Sequence, residues 1–183
     1  MDLLNVTGKF LVAVPGLDDP NFRHSVVLVC EHAGEGAFGL VVNRVLMNSI
    51  KPLTEALELE GPVVDFPVYY GGPVKADQGY LLFSPFEERY SAIRINDALG
   101  VTASREALLD IVRGKGPSRF IFTLGFSGWM ANQLEAELME DSWLVAPPDL
   151  GVIFSAPVAD RWRMVGRSIG VDFTRYVGGA GSA

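Results

Sequence analysis

The stretch FLVAVPGLDDPNFRHSVVLVCEH, Phe10 to His32, decides how this chain is read. Its second half carries Val26, Val27, Leu28 and Val29 in succession, with no polar residue between them. A strand with one wet face alternates polar and apolar side chains, whereas an unbroken apolar run of strand length is covered on both faces. This strand is therefore expected at the centre of its sheet. Glu31 to Gly36 joins it to a second apolar run, Ala37 to Asn43, through Gly34 and Gly36, a length that suits a hairpin. An antiparallel pair is expected there. Upstream, Lys9 to Val14 reads as another strand, and Asp18, Asp19 and Pro20 mark a turn in which Asp side chains bond neighbouring backbone amides.

Outward from this stretch, short apolar runs punctuated by Gly and Pro predict strands at Val68 to Tyr70, Tyr80 to Phe83, Ala92 to Ile95, Arg119 to Leu124 and Gly151 to Phe154. Helical signals lie mostly in the second half. Ser104 caps a segment with Leu108, Leu109 and Val112 on one face and Gly114 as its stop. Gly128 to Glu140 places Met130, Leu134 and Leu138 at four-residue spacing behind Ser127, and its outer face is acidic. Asp160 to Ile169 puts Trp162 and Val165 inward, with Arg161, Arg163 and Arg167 largely outward. A weaker helix covers Leu53 to Leu59. Strands that cluster early, with helices interspersed later and no regular alternation, predict an α+β fold.

The 183 residues fit one domain, and with 49% hydrophobic residues the chain has the means to bury a sizeable core. No repeat, low-complexity tract or long linker divides it, and only Gly178 to Ala183 reads as a loose tail. The longest apolar runs are far shorter than the roughly 20 residues of a membrane-spanning helix, and no basic leader precedes them. Cys30 is the single cysteine, so neither an intramolecular disulfide nor a multi-thiolate metal site is available, and a cytoplasmic location is expected. A net charge of -7 opposes nucleic acid and anionic membranes. Direct nucleic-acid binding and membrane attachment are not expected.

Chemistry concentrates in the opening stretch, which holds both histidines and the cysteine. Cys30 and His32, two apart on one strand, are expected on the same face, where an imidazolium would activate the thiol; the competing expectation is that Cys30 simply packs. Glu31 and His32 offer a general base, but two histidines and one cysteine are too few donors for a dedicated metal site. His24 beside Arg23 suits a carboxylate or phosphate, or else ends a turn. Asn43 closes a strand end, and the Gly71-Gly72-Pro73 turn offers backbone amides to an anion, less the donor that proline lacks. GxSxG, HExxH, CxxC, P-loop and GxGxxG patterns are all missing, so no cofactor is implied.

These segments together resemble the YqgE/AlgH family of bacterial proteins. The likeness runs nearly the whole chain, from Phe10 to His32 through GAFGLVVNR, YYGGPV, TASREAL, LGFSGWMANQLEAEL and SWLVAPPD to IFSAPVADRW. It implies a bifurcated, largely antiparallel sheet that includes a small closed barrel, surrounded by helices. It also implies a family often labelled as transcriptional regulators, without an agreed catalytic role to transfer. The expectation is a regulatory binding module, its ligand a small molecule or protein held in one cleft lined by His24, Glu31, His32, Asn43, Gly71 and Gly72. The alternatives are an enzyme or redox sensor centred on Cys30 and His32, and a DNA-binding regulator using Arg161, Arg163 and Arg167.

Overall fold

A computed structural model describes residues 4–177; the expected tail at 178–183 lies outside the described residues. Strands β1 (Phe10–Ala13), β2 (Val26–Ala33), β3 (Gly36–Val41) and β4 (Val45–Met47) lead into helix α1 (Lys51–Ala56). Strands β5 (Val68–Tyr70), β6 (Val74–Ser84), β7 (Ile93–Arg94) and β8 (Gly100–Thr102) follow, then α2 (Arg105–Val112) and the long β9 (Arg119–Met130). The chain continues through α3 (Gln133–Met139), β10 (Trp143–Ala146), α4 (Leu150–Phe154), α5 (Arg161–Ser168) and α6 (Thr174–Val177).

The predicted hairpin forms: β2 and β3 pair antiparallel from Val27 opposite Val41 to Ala33 opposite Gly36. β2 lies between β1 and β3 and is covered on both faces, as its unbroken apolar run requires. On one side Phe10, Val12, Val26, Leu28 and Leu40 pack with Val152, Ile153, Trp162 and Val165 of α4 and α5. On the other, Leu11, Ala13, Val27, Val29 and Val41 meet Val6, Leu134, Trp129 and Trp143. A third core, with Ile50, Val68, Leu81, Phe83, Ala107, Ile111 and Phe122, fills the space between α1, α2 and the far strands.

β9 holds these parts together. Its C-terminal end pairs antiparallel with β3, from Gly36 opposite Met130 to Gly39 opposite Ser127. Its N-terminal half runs between β6, antiparallel, and β5, the one parallel neighbour. The sheet therefore forks along β9, one arm running β3-β2-β1-β10 and the other through β6, β8 and β7, with β5 and β4 as a side branch. The path stays open at its ends. Among the described residues no ring of strands closes, so the small closed barrel that the family resemblance implied is absent; the forked, largely antiparallel α+β sheet is present.

The fork depends on three glycines. Gly71 donates its N–H to the Leu124 carbonyl at 2.9 Å and accepts on its own carbonyl from Val41 N–H at 2.9 Å and from the Ser127 hydroxyl at 3.1 Å. One residue thus ties β3, β5 and β9 together. A Cβ on Gly71 would overlap the Gly125 carbonyl oxygen, and one on Gly72 would overlap the backbone of Phe126. Gly125, at φ +75°, lies against the Gly72 carbonyl from the other side.

Three elements differ from expectation. Gly151 to Phe154 belongs to α4, whose N-cap Asp149 accepts from Val152 N–H at 3.2 Å, a cap that a reading based on the apolar run overlooks. The expected helix from Gly128 begins only at Gln133. Met130, counted into its four-residue spacing, is a strand residue that points to solvent while Ser127 and Trp129 point inward. Ser104 does stand before α2, but its side chain makes no cap bond, and Ala107, Ile111 and Val112 form the buried face in place of Leu108 and Leu109. Replacing Gly71 with Ala is expected to cost about 3 kcal/mol or more, because the clash is with backbone that cannot step aside. Urea unfolding checks this; an unchanged midpoint would show that the fork tolerates a side chain.

Candidate functional site

The residues singled out in the sequence occupy three separate places. His24 and Asn43 are together at the start of β2. Asn43 accepts Val26 N–H on Oδ1 at 2.8 Å and donates from Nδ2 to the His24 carbonyl at 2.8 Å, so its side chain staples the end of the hairpin. Glu31 and His32 lie at the other end of β2, about 20 Å along the strand from Val26 at 3.3 Å per residue. Gly71 and Gly72 are buried within the fork and offer no amide cradle. The single cleft expected from the sequence does not assemble.

Cys30 and His32 also separate. A β-bulge between Val29 and Glu31 inserts Cys30 as an extra residue, and the alternation of faces is reset. Cys30 packs in the core with Val26 and Leu28, whereas His32 accepts from Val6 N–H on Nδ1 at 3.3 Å and reaches Glu135 through Nε2 at 2.9 Å. With Nδ1 accepting, Nε2 carries the proton and donates it to the carboxylate. The Glu135 carboxyl is held below the usual range by its own backbone N–H and by His32. Glu31 itself points to solvent. The Cys30 thiol is 1% exposed, and burial, with Glu31 adding to it, pushes its pKa far above that of a free thiol. A thiolate is the reactive form, so this setting favours packing over redox chemistry.

At the other end of β2 a hollow of about 400 Å³ opens between the Arg23-His24 turn and α5, lined by Arg23, His24, Asn43, Arg44, Val158, Ala159, Trp162 and Arg163. His24 sits at φ +56° and lays its ring on the Trp162 indole, 4.0 Å between centroids and 19° from parallel. Trp162 in turn stacks on Phe173 at 4.3 Å and donates its indole N–H to the Ala13 carbonyl at 2.8 Å. This pile of rings fixes the imidazole. Arg44 is equally fixed, donating to the carbonyls of Pro20, Asn21 and Arg23. Arg23 and Arg163 are exposed and, among the described residues, carry no ion pair.

Burial lowers the His24 pKa, and the neighbouring Arg23 and Arg163 guanidiniums lower it further. Folding therefore favours the neutral ring: that contribution is present above the ordinary histidine value and lost as pH falls through the lowered one. Among the described residues no carboxylate lines this hollow. The other hollows differ: the one beside His32 includes Glu135, the one beside Trp129 includes Glu31 and Glu35, and an apolar one of about 300 Å³ between α1, β6 and α2 includes both Asp77 and Arg105. Among the described residues no three His, Cys, Asp or Glu side chains are placed to hold a metal ion.

Sequence reasoning missed Trp162 and Arg163 as partners of His24. Their separation along the chain leaves no local signal, and the arginines of α5 looked like one outward face. Arg161 corrects that reading. It is 3% exposed and donates to the Val42 carbonyl at 2.7 Å and to Ala156, capping the end of β3, which leaves Arg163 and Arg167 as the exposed pair.

Fold and hollow together define an α+β protein with a forked open sheet and a cationic surface hollow. A family model described as AlgH-like matches residues 10–174, and the chain belongs to that family. The UPF0301 protein YqgE of Escherichia coli strain SMS-3-5 is 41% identical over 187 residues, covering 98% of this chain and 100% of that protein. A UPF0301 protein of Thioalkalivibrio sulfidiphilus is 39% identical over 181 residues, covering 98% of this chain and 97% of that protein. The solution structure of the AlgH protein from Pseudomonas aeruginosa superposes with a TM-score of 0.80 at 32% identity, covering 100% of this chain and 98% of that one. Protein DIP2367 of Corynebacterium diphtheriae, at 20% identity, a TM-score of 0.73 and coverage of 93% and 91%, shares the fold. No helix among the described residues is long and apolar enough to cross a membrane.

Two outcomes test these assignments. Asn43→Ala strands the Val26 N–H and the His24 carbonyl and is expected to cost about 1–3 kcal/mol, read by chemical unfolding. Native Cys30 is expected to react with a thiol reagent on the order of 100-fold more slowly than the unfolded chain, since reaction waits for opening. Labelling at the free-thiol rate would restore the redox reading.

Proposed function

We propose that this protein is a cytosolic binding module of regulatory type whose ligand is a small anion held at the His24 end of β2. The observation that carries the reading is the meeting of Arg23, Arg44 and Arg163 around His24, with no carboxylate among the described residues of the lining, in a chain of net charge -7. Acidic proteins ordinarily pair their exposed arginines or scatter them. Here the guanidiniums of Arg23 and Arg163 converge from two parts of the chain without a partner among the described residues, and their charge complements an anion.

Binding rather than catalysis suits the hollow. His24 is the imidazole of the lining, and among the described residues no Ser, Thr or Cys stands beside it to be activated. Of the sequence-derived set, His24 and Asn43 stay in the proposal: His24 as a ligand group, Asn43 as the staple that holds it. Glu31, His32, Gly71 and Gly72 take no part in this site. A regulatory output would follow from α5, which contributes Trp162 and Arg163 to the hollow and packs on the core through Val165.

A thermal-shift panel of small carboxylates and phosphate esters is expected to give stabilising ligands. Arg163→Ala and Arg23→Ala should each weaken them by about 10- to 100-fold, the loss of one charge-assisted contact of roughly 1.5–3 kcal/mol. If nothing in the panel binds, or if what binds ignores both arginines, the reading fails.

A further inference from the structure

We infer that the hollow beside His24 takes the phosphoryl group of a small phosphorylated metabolite and takes it together with a proton on His24, an inference that rests on the anion-binding reading above. The first ground is geometric. Arg23 from the turn before β2 and Arg163 from α5 bring guanidiniums without an ion pair among the described residues, while Arg44, held on three carbonyls of the turn, adds its charge from the connection after β3. One guanidinium fork satisfies both oxygens of a carboxylate, so two guanidiniums and an imidazole converging on one hollow suit a tetrahedral anion with three free oxygens.

The second ground is the imidazole. Its stacking on Trp162 holds the ring at the wall of the hollow, and among the described residues neither of its nitrogens has a hydrogen-bond partner. The charges that bear on it are Arg23 from its own turn and Arg163 from α5, with Arg44 lining the same hollow. A side chain so placed is poised to donate to a ligand oxygen. In the empty hollow two guanidiniums oppose protonation of the ring. A dianion seated between them reverses that local field and favours the imidazolium. Linkage then requires the converse: protonation of His24 strengthens the hold on the anion by the same factor.

The size of the hollow, about 400 Å³, matches a small ester and is too small for a duplex. Its place in the chain's economy of charge agrees, since the acidic surface beyond the hollow repels polyanions but leaves a small dianion free to enter.

Sulfate is the probe for the proton, because it remains a dianion across the range in which histidine titrates. Its affinity, measured by titration calorimetry, is expected to rise about fivefold between about pH 7.5 and about pH 5.5, the part of a one-unit rise in the His24 pKa on binding that this window captures. In His24→Gln the change should fall below about twofold while binding persists. Glycerol 3-phosphate should displace sulfate, and acetate should do so far less well. Sulfate that binds equally at both pH values, or a His24→Gln protein with the full pH effect, overturns the proton linkage but leaves the anion site standing. Equal displacement by acetate, or stronger displacement by a short DNA duplex at physiological salt, overturns the choice of a small phosphate ester. Absence of sulfate binding at the lower pH removes the anion site itself, and the inference with it.

Discussion

Three strands of this protein meet at the backbone of one residue, and the meeting is possible only without side chains. Gly71 donates to Leu124 on β9, accepts from Val41 just where β3 leaves the fork, and accepts again from Ser127. Gly72 and Gly125 allow the same close approach from either side. Because every buried backbone donor and acceptor needs a partner, the fork is a place where three incomplete ladders complete one another. The two arms of the sheet are fixed relative to each other through this contact, and the cores on either side of β2 inherit their geometry from it.

What lies beyond the fork follows from the same accounting. β3 ends at Val41, so the next carbonyl, that of Val42, has no strand to accept from; Arg161 is drawn inside to supply the donor. The Val26 N–H, on the strand opposite at the same end of the hairpin, is met by Asn43. Burying a guanidinium is costly unless its donors are matched, and Arg161 matches them on two carbonyls while its plane lies over the Tyr69 ring at 5.6 Å. Anchoring α5 at Arg161 is what carries Trp162 onto His24 and leaves Arg163 at the rim. A structural need at the end of β3 thus sets the position of the groups that form the hollow.

How much of this was legible in the sequence depends on how local each cause is. The central strand was legible because Val26 to Val29 state their burial outright, and the hairpin because Gly34 and Gly36 sit where a tight turn needs them. The extent of β9 was not: Gly125, Ser127 and Gly128 are poor strand formers, kept in the sheet by pairing with β3 and β6, and such pairing outweighs propensity. Cys30 and His32 were assigned to one face by a rule that one inserted residue reverses, and nothing in VLVCEH announces a bulge. Asn43, Gly71 and Gly72 stood out as chemistry-bearing types. Each is used by backbone groups far along the chain, which no spacing rule reveals.

The hollow illustrates the opposite case, in which ordinary residues become a site through placement. His24 beside Arg23 read as either an anion contact or a turn end, and Trp162 with Arg163 as an inward and an outward position on one helix. Their meeting requires both the hairpin staple and the anchoring of α5, so neither half means anything alone. Arg23 and Arg163 carry no ion pair among the described residues, although the chain is rich in carboxylates. Here the turn that carries Arg23 is tied down by Arg44 on three carbonyls, and the helix that carries Arg163 is tied down by Arg161 and by the Trp162 indole on Ala13. Mounting on tied-down elements brings both residues to one hollow, where both charges bear on His24. On the anion-binding proposal, the like charge gathered at the hollow by these structural ties is what a ligand would neutralise.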